Sequence, residues 1–375
     1  MTGPVPTAAR GSSFPRIGLA VALLLITGLV AGLVAHRGNS SRAEARPAAS
    51  PDEVSSFTAL DGRLGVFSAN TLKGALRYEK WLGREVSFVT VFADRSNWKD
   101  IERPQSHVPD LGRFKAHGKR AVFSLPMLPD SLSARKDTAM KAGGTGRFND
   151  HFVRLGKNLV ALDQADAVIR MGWEFQLDSW AWGGGDAESY RQYFRQIVTA
   201  MRQVPGQEFE FDWNPNNGYN ERDGVEYWPG DQYVDYVGVD AYDVSFTFYP
   251  YPQVCDQSCR LERQKRTWDE NVYGGPRGLQ FWAQFARSHQ KKMSLPEWAT
   301  WDRFGDDDGG GKDDPYYIQK MYEFITYAPN NVGYANFFDT DSDQGLHNLD
   351  RHFPDAAQEF TRLFGDAAVP SANPG

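Results

Sequence analysis

The sequence predicts an α/β fold: a single (β/α)8 TIM barrel, preceded by an apolar transmembrane or signal segment and a linker. Two observations carry this. Eight short apolar runs alternate with helical patterns across residues 57–366 of the 375-residue chain, the order that parallel βαβ units require. Two of those runs end in a glutamate set among aromatic residues. The C-terminal ends of barrel strands are where such a fold builds its chemistry.

The strand-like runs are 63–68, 86–92, 120–126, 167–174, 208–213, 236–241, 293–297 and 332–339. Helical patterns separate them at 71–82, 108–117, 150–163, 187–202, 277–290, 314–328 and 354–364. Asp186 fits an N-cap for the fourth of these, with Glu188 in its first turn. The connection between the fifth and sixth strands lacks a helical pattern. Gly183-Gly184-Gly185 precedes a helix but lacks the Lys-Ser/Thr of a phosphate-binding loop.

Ahead of the barrel, residues 17–35 form a charge-free and largely apolar run, about long enough to cross a bilayer as a helix. Arg10 and Arg16 precede it, which places residues 1–16 in the cytoplasm. Leu33-Val34-Ala35 is a poor cleavage site. A membrane-retained anchor is therefore favoured over a cleaved signal peptide, and both put the body outside the cytoplasm. Residues 36–56 read as a polar linker and 367–375 as a tail. Cys255 and Cys259 are the only cysteines. Outside the cell, a local disulfide is their expected state, in a stretch that reads as loop.

The net charge is -7. The first fifty residues carry five Arg and one Glu, so the body is more acidic still. That argues against nucleic acid as a partner. No His, Cys or acidic cluster has metal-ligand spacing, so no metal and no cofactor are expected. The acidic run 306–314 lacks the spacing of a calcium loop. His289, His347 and His352 read as surface or packing residues, and Ser294 and Ser342 lack the context of a nucleophile.

The chemistry-bearing candidates are Glu174, in Val168 to Gly185, and Glu297, in Lys291 to Trp301. Met171, Trp173 and Phe175 crowd Glu174. Apolar bulk raises a carboxyl pKa and suits a general acid. Arg170 shares its strand parity and is placed to pair with a carboxylate. Glu297 needs donors if it is to act ionised, and Tyr242 is placed to supply one. Two facing carboxylates are what glycosidic cleavage requires. Trp180 and Trp182 lie past the tip of the fourth strand, Trp213 and Asn214 end the fifth, and all four are candidates for sugar contact, although each aromatic taken singly fits packing better.

These motifs resemble glycoside hydrolase family 26, within the clan of retaining barrel glycosidases. The matching segments are Arg170-Met171-Gly172-Trp173-Glu174 followed by Trp180-Ala181-Trp182-Gly183, then Val239-Asp240-Ala241-Tyr242-Asp243, and Ser294-Leu295-Pro296-Glu297-Trp298. The resemblance covers about residues 60–365. It implies a monomeric, endo-acting hydrolase of β-linked polysaccharide, with β-1,4-mannan as the leading substrate. Glu174 would be the acid/base and Glu297 the nucleophile. Arg170, Trp173, Trp180, Trp182, Trp213, Asn214, Tyr242 and Trp298 would bind substrate. Two positions depart from the family pattern: Trp173 stands where mannan-cleaving members carry His, and strand eight reads Asn336-Phe337-Phe338-Asp339 where a Trp is frequent. β-Glucan, β-xylan, the cell's own exopolysaccharide and a non-catalytic carbohydrate-binding barrel stay open as alternatives.

Overall fold

The computed structural model describes residues 59–305 and 309–366. The segment 17–35, the linker 36–56, the tail 367–375 and the first residues of the acidic run lie outside them. Among the described residues no helix is long and apolar enough to cross a membrane.

Eight parallel strands close into a barrel: β1 (Leu64–Phe67), β2 (Phe88–Phe92), β3 (Arg120–Leu125), β4 (Val168–Met171), β5 (Glu210–Trp213), β6 (Tyr236–Gly238), β7 (Lys292–Ala299) and β8 (Val332–Phe338). Neighbours in sequence pair with each other. The ring shuts where β8 pairs with β1, from Leu64↔Ala335 to Phe67↔Phe338. A short strand, Ala241–Tyr242, continues the line of β6 along β7. Each strand lies where the sequence places one, and every strand is buried almost throughout.

Alternation of side chains divides each strand between the barrel interior and the helix layer. Inside, Phe88, Val122, Val168, Tyr236 and Tyr334 form an apolar floor. Above it lies a polar layer, fully buried: Thr90, Ser124, Arg170, Asp212, Ser294 and Asn336. Most of its groups pair with one another, as buried polar groups tend to, while Asp212 Oδ1 and Asn336 Oδ1 stay without a partner among the described residues. Asn336 Nδ2 donates to Thr90 Oγ1 (2.6 Å), and Ser294 Oγ donates to Asp212 Oδ2 (2.6 Å). Burial pushes Asp212 up to about 6, against the donors Ser294 and Tyr334. Two glycines make room for these pairs. A Cβ at Gly65 would stand 1.9 Å from Asn336 Oδ1, and one at Gly238 would stand 2.2 Å from Asp212 Oδ1.

Outside, α1 (Leu72–Leu82), α2 (Lys136–Gly144), α3 (Asn149–Ala161), α4 (Ala187–Arg202), α5 (Gln257–Thr267), α6 (Leu279–Ser288), α7 (Pro315–Thr326) and α8 (Pro354–Phe364) cover the strands. Asp186 caps α4 by accepting from Ser189 N at 2.9 Å. As expected, β5 and β6 are joined without an α-helix; the connection holds only the 3-10 turns Gly224–Tyr227 and Asp231–Tyr233.

Two expectations are corrected. Residues 108–117 form the separate 3-10 turns Leu111–Arg113 and Lys115–His117 rather than one helix. Gly118 ends them in the left-handed region (φ 70°), too soon for an α-helix to propagate. The cysteine stretch, read as loop, opens a helix. Asp256 accepts from Cys259 N at 2.9 Å and caps α5. Cys255 and Cys259 are joined by a disulfide across this first turn.

Candidate active site

β4 ends at Met171, three residues before Glu174, which the sequence had placed at the strand's last position. Gly172 (φ 57°) and Glu174 (φ 50°) both take left-handed conformations that break the ladder. For a glutamate this costs on the order of 1 kcal/mol or more. The turn is held because Glu174 N donates to Asn214 O (2.9 Å) and Leu177 N donates to Glu174 O (2.9 Å). It delivers a buried carboxyl group to the barrel mouth. Asn216 Nδ2 donates to its Oε1 at 3.1 Å. The Trp180 indole N–H faces the same carboxylate without closing a hydrogen bond of ordinary geometry. Burial pushes Glu174 up to about 7. The charge of Glu297 adds to the rise, and Arg170, Trp180 and Asn216 oppose it.

Glu297, also buried, stands near the end of β7. Its surroundings are donors. Arg170 Nη1 reaches Oε1 at 2.5 Å and Tyr242 Oη donates to Oε2 at 2.6 Å. Arg170, fully buried, also pairs with Asp240 (2.5 Å) and donates from Nε to Asn214 Oδ1 (2.5 Å) and from Nη1 to Ser124 Oγ (3.1 Å). One guanidinium thus orients β3, β4, β5, β6 and β7 at once, using the fork geometry that suits Arg to paired carboxylates. Arg170 does not pair with Glu174 in this arrangement. Burial pushes Asp240 well above the usual carboxylate range, with Arg170 opposing.

Glu174, Tyr242 and Trp301 stand where two cavities meet. A pocket of about 20 Å³ also contains Glu297, Trp173, Phe338 and His347. A cleft of about 480 Å³ runs from Glu174 along the loops that follow β5 and β6. Glu174, Glu297, Trp173 and Tyr242 therefore converge, while Arg170 and Asn214 support them from beneath. The other aromatic candidates fall elsewhere. Trp180 and Trp182 are buried and stack on each other (5.2 Å), and both meet Trp173 at steep angles (5.3 and 4.5 Å), forming the wall behind the site. Trp213 points to the helix layer, against Trp228, Trp282 and Phe285. Trp298 packs on Phe337, Phe360 and Phe364. Trp213 follows from alternation: Asp212 and Asn214 point inward, so Trp213 points out. Trp298 follows from an irregularity: between Leu295 and Trp298, β7 runs one residue longer than the facing stretch Ala335 to Phe337 of β8, and this bulge brings Glu297 inward and turns Trp298 out.

Sequence reasoning missed Asn216, Asp240 as the second partner of Arg170, Trp301 and His347. Asp240 was legible, since it lies in the same short motif as Tyr242. Asn216 and Trp301 lie in loops whose course no periodicity foretells. His347, read as a packing or surface residue, lines the small pocket against Tyr242, Trp301 and Phe338. Its Nδ1 stands 3.0 Å from Thr300 O, so that nitrogen carries the proton. Burial lowers its pKa to about 4 and keeps the ring neutral. Among the described residues no group of His, Cys, Asp and Glu could hold a metal ion.

The sequence model of glycosyl hydrolase family 26 matches residues 142–263, the stretch that contains Glu174, Asn216 and Tyr242. A beta-1,3-xylanase from Alcaligenes sp. is 26% identical over 155 residues, which are 40% of this chain and 26% of that protein. The chain thus spans about a quarter of that relative's length. In fold, an endo-beta-1,4-mannanase double mutant from Cellulomonas fimi superposes with a TM-score of 0.55 at 15% identity, over 83% of this chain and 72% of that one. The catalytic domain of a family 26 endo-beta-1,4-mannanase from Bacillus sp. JAMB-750 gives a TM-score of 0.55 at 13% identity, over 80% and 85%. In sequence across residues 142–263, and in fold across the barrel, this chain resembles glycosyl hydrolase family 26.

Proposed function

We propose that this protein is a retaining glycoside hydrolase that cleaves within a β-linked polysaccharide. The observation that carries the reading is the contrast between two buried glutamates at one barrel mouth. Glu297 receives two donors that stabilise negative charge, from Arg170 and Tyr242. Glu174 is pushed up to about 7 by burial and by Glu297. One is equipped as a nucleophile and the other as an acid at neutral pH.

In the first step the Glu297 carboxylate attacks the anomeric carbon, and the proton of Glu174 passes to the departing glycosidic oxygen. Arg170 and Tyr242 keep the attacking carboxylate aimed. In the second step Glu174, now ionised, takes a proton from water. The water oxygen attacks the same carbon, and Glu297 leaves as carboxylate. Two inversions give net retention. Asn216 holds Glu174 Oε1 and leaves the other oxygen to face the leaving group.

β-1,4-Mannan is the leading substrate, supported by the fold shared with mannanases. β-1,3-Xylan is the second, favoured by the sequence relative. The disulfide Cys255–Cys259 supports a location outside the cytoplasm, where residues 17–35 would act as a membrane anchor; N-terminal sequencing of the mature protein tests that part. For the activity, the chain is screened against mannan, β-1,3-xylan, β-1,4-xylan and β-glucans, with product anomers followed by NMR. The expected result is hydrolysis with the β-anomer formed first, and a 2-fluoro glycoside labelling Glu297. Absence of turnover on every glycan, or first formation of the α-anomer, would overturn the proposal.

A further inference from the structure

Resting on the hydrolase reading of this site, the geometry points to a binding surface on the leaving-group side, built on Tyr219 and Phe246. We infer that these two rings are stacking platforms for sugar rings beyond the cleaved bond. The first observation is the asymmetry of the mouth. The pocket shared by both glutamates is about 20 Å³, whereas the cleft that includes Glu174 but not Glu297 is about 480 Å³. A nucleophile contacts the anomeric carbon of the retained sugar, and an acid contacts the departing oxygen. The retained sugar therefore bears on Glu297, where the mouth is tight, and the departing chain runs past Glu174 into the large cleft.

The second observation is what lies along that cleft. Polar side chains line it, among them Asn216, Asp178 and Arg222, interspersed with apolar surface. Against this wall stand two large exposed rings: Tyr219, 75% accessible, and Phe246, 53% accessible. Leaving such rings in water forgoes the stabilisation of burial. A flat, partly apolar ligand that covers them would recover it.

The third observation is that Phe246 is held in place. The Arg303 guanidinium lies 5.0 Å from its centroid, and a Cβ at Gly309 would meet the ring at 2.7 Å. Ser245 Oγ accepts from Phe248 N (3.1 Å) and donates to Asn271 Oδ1 (3.0 Å), fixing the turn that presents the ring. A preorganised aromatic face loses little entropy when a sugar covers it. A β-linked pyranose chain, with apolar C–H faces and hydroxyl edges, matches two rings set in a polar groove.

The test uses the full chain carrying Glu297→Gln, so that oligosaccharides bind without turnover. Mannohexaose and linear β-1,3- and β-1,4-xylo-oligosaccharides are titrated calorimetrically into this protein and into versions that also carry Tyr219→Ala, Phe246→Ala or both. Affinity is expected to fall about fivefold per ring and about thirtyfold for both. Tyr219→Phe should keep full affinity, because the ring rather than the hydroxyl makes the contact. Both positions are exposed, so thermal midpoints should stay level, separating lost binding from lost fold. Affinities within twofold of the parent in the double variant, or failure of every oligosaccharide to bind the parent, would overturn the inference. Failure of the hydrolase reading gives a different result: ring-dependent binding with no turnover by the unmodified chain.

Discussion

Glu174 and Glu297 share one chemistry and differ only in what surrounds them, so the consequences are testable residue by residue. With Glu174 at about 7, its protonated fraction falls as pH rises through that value. kcat/KM should fall along the same limb, tenfold per pH unit once past it. The same shift has a sign for stability. Between the unfolded carboxyl value near 4.5 and about 7, the folded protein binds the proton that the unfolded chain has lost, so this stabilisation declines across that window. Tyr242→Phe removes one donor from Glu297. A hydrogen bond to a charged group is worth about 1.5–3 kcal/mol, so turnover should drop roughly 10- to 100-fold with the fold intact, as steady-state kinetics and circular dichroism can check. The glutamates were legible in the sequence because a carboxylate set in an apolar run is costly to bury and stands out against its neighbours. The roles of the tryptophans were not, since composition says nothing about which face a ring takes. Parity could have decided one of them, Trp213, which lies between inward Asp212 and Asn214; for Trp298 it misleads, because a bulge between Leu295 and Trp298 reverses the alternation that starts at inward Ser294.

Among the elements, the loop after β7 matters most, because Trp301 and Arg303 on it wall the cleft. It is tied to the end of the β6 line by backbone bonds from Gly311 N to Asp243 O (3.1 Å) and from Ser245 N to Gly309 O (2.8 Å). Beneath these ties lie two buried carboxyls, Asp243 and Asp314, with Tyr249 Oη at 3.1 and 3.4 Å. Burial pushes Asp314 up to about 7, with Asp243 opposing the rise, and pushes Asp243 well above its usual range, with Asp314 adding to it. The contact is therefore made by protonated acid. The stabilisation is full below the unfolded value near 3.8 and is lost as pH rises through about 7. Asp314→Asn cannot ionise, and Asn still serves as the cap that accepts from Tyr317 N. Its stability relative to the parent, read from thermal melts, should rise from pH 5 to pH 8, by an amount on the order of 1 kcal/mol per unit titrated. A difference independent of pH would show that the pair is not protonated. Neither this tie nor the helix after the cysteines could be read from periodicity. Loops are fixed by contacts between distant segments, while strands and long helices announce their faces locally.

At the scale of the molecule, the eight strands were legible because each is short, apolar and bounded by polar turns. Their closure was inferred only from their number. What closes the ring is the fit of its interior. β1 contributes Gly65 to the polar layer, and Asn336 from β8 fills that space to reach Thr90 on β2. A side chain at Gly65 would strike Asn336 and also Phe88 O, which is backbone and cannot swing aside (2.7 Å). Gly83 is the informative contrast. It ends α1 with φ 73° and has nothing within 4 Å of a Cβ. Gly83→Ala should cost about 1–2 kcal/mol, the penalty of a left-handed residue. Gly65→Ala should cost more, about 3 kcal/mol or above, because overpacking here parts β8 from β2 across the seam. Denaturant melts followed by fluorescence and circular dichroism distinguish the two cases. If the barrel is one cooperative unit, both signals move together in both variants, with Gly65→Ala giving the lower midpoint. Equal midpoints for the two variants would mean that the interior layer relaxes freely, and that closure depends on the helices outside instead.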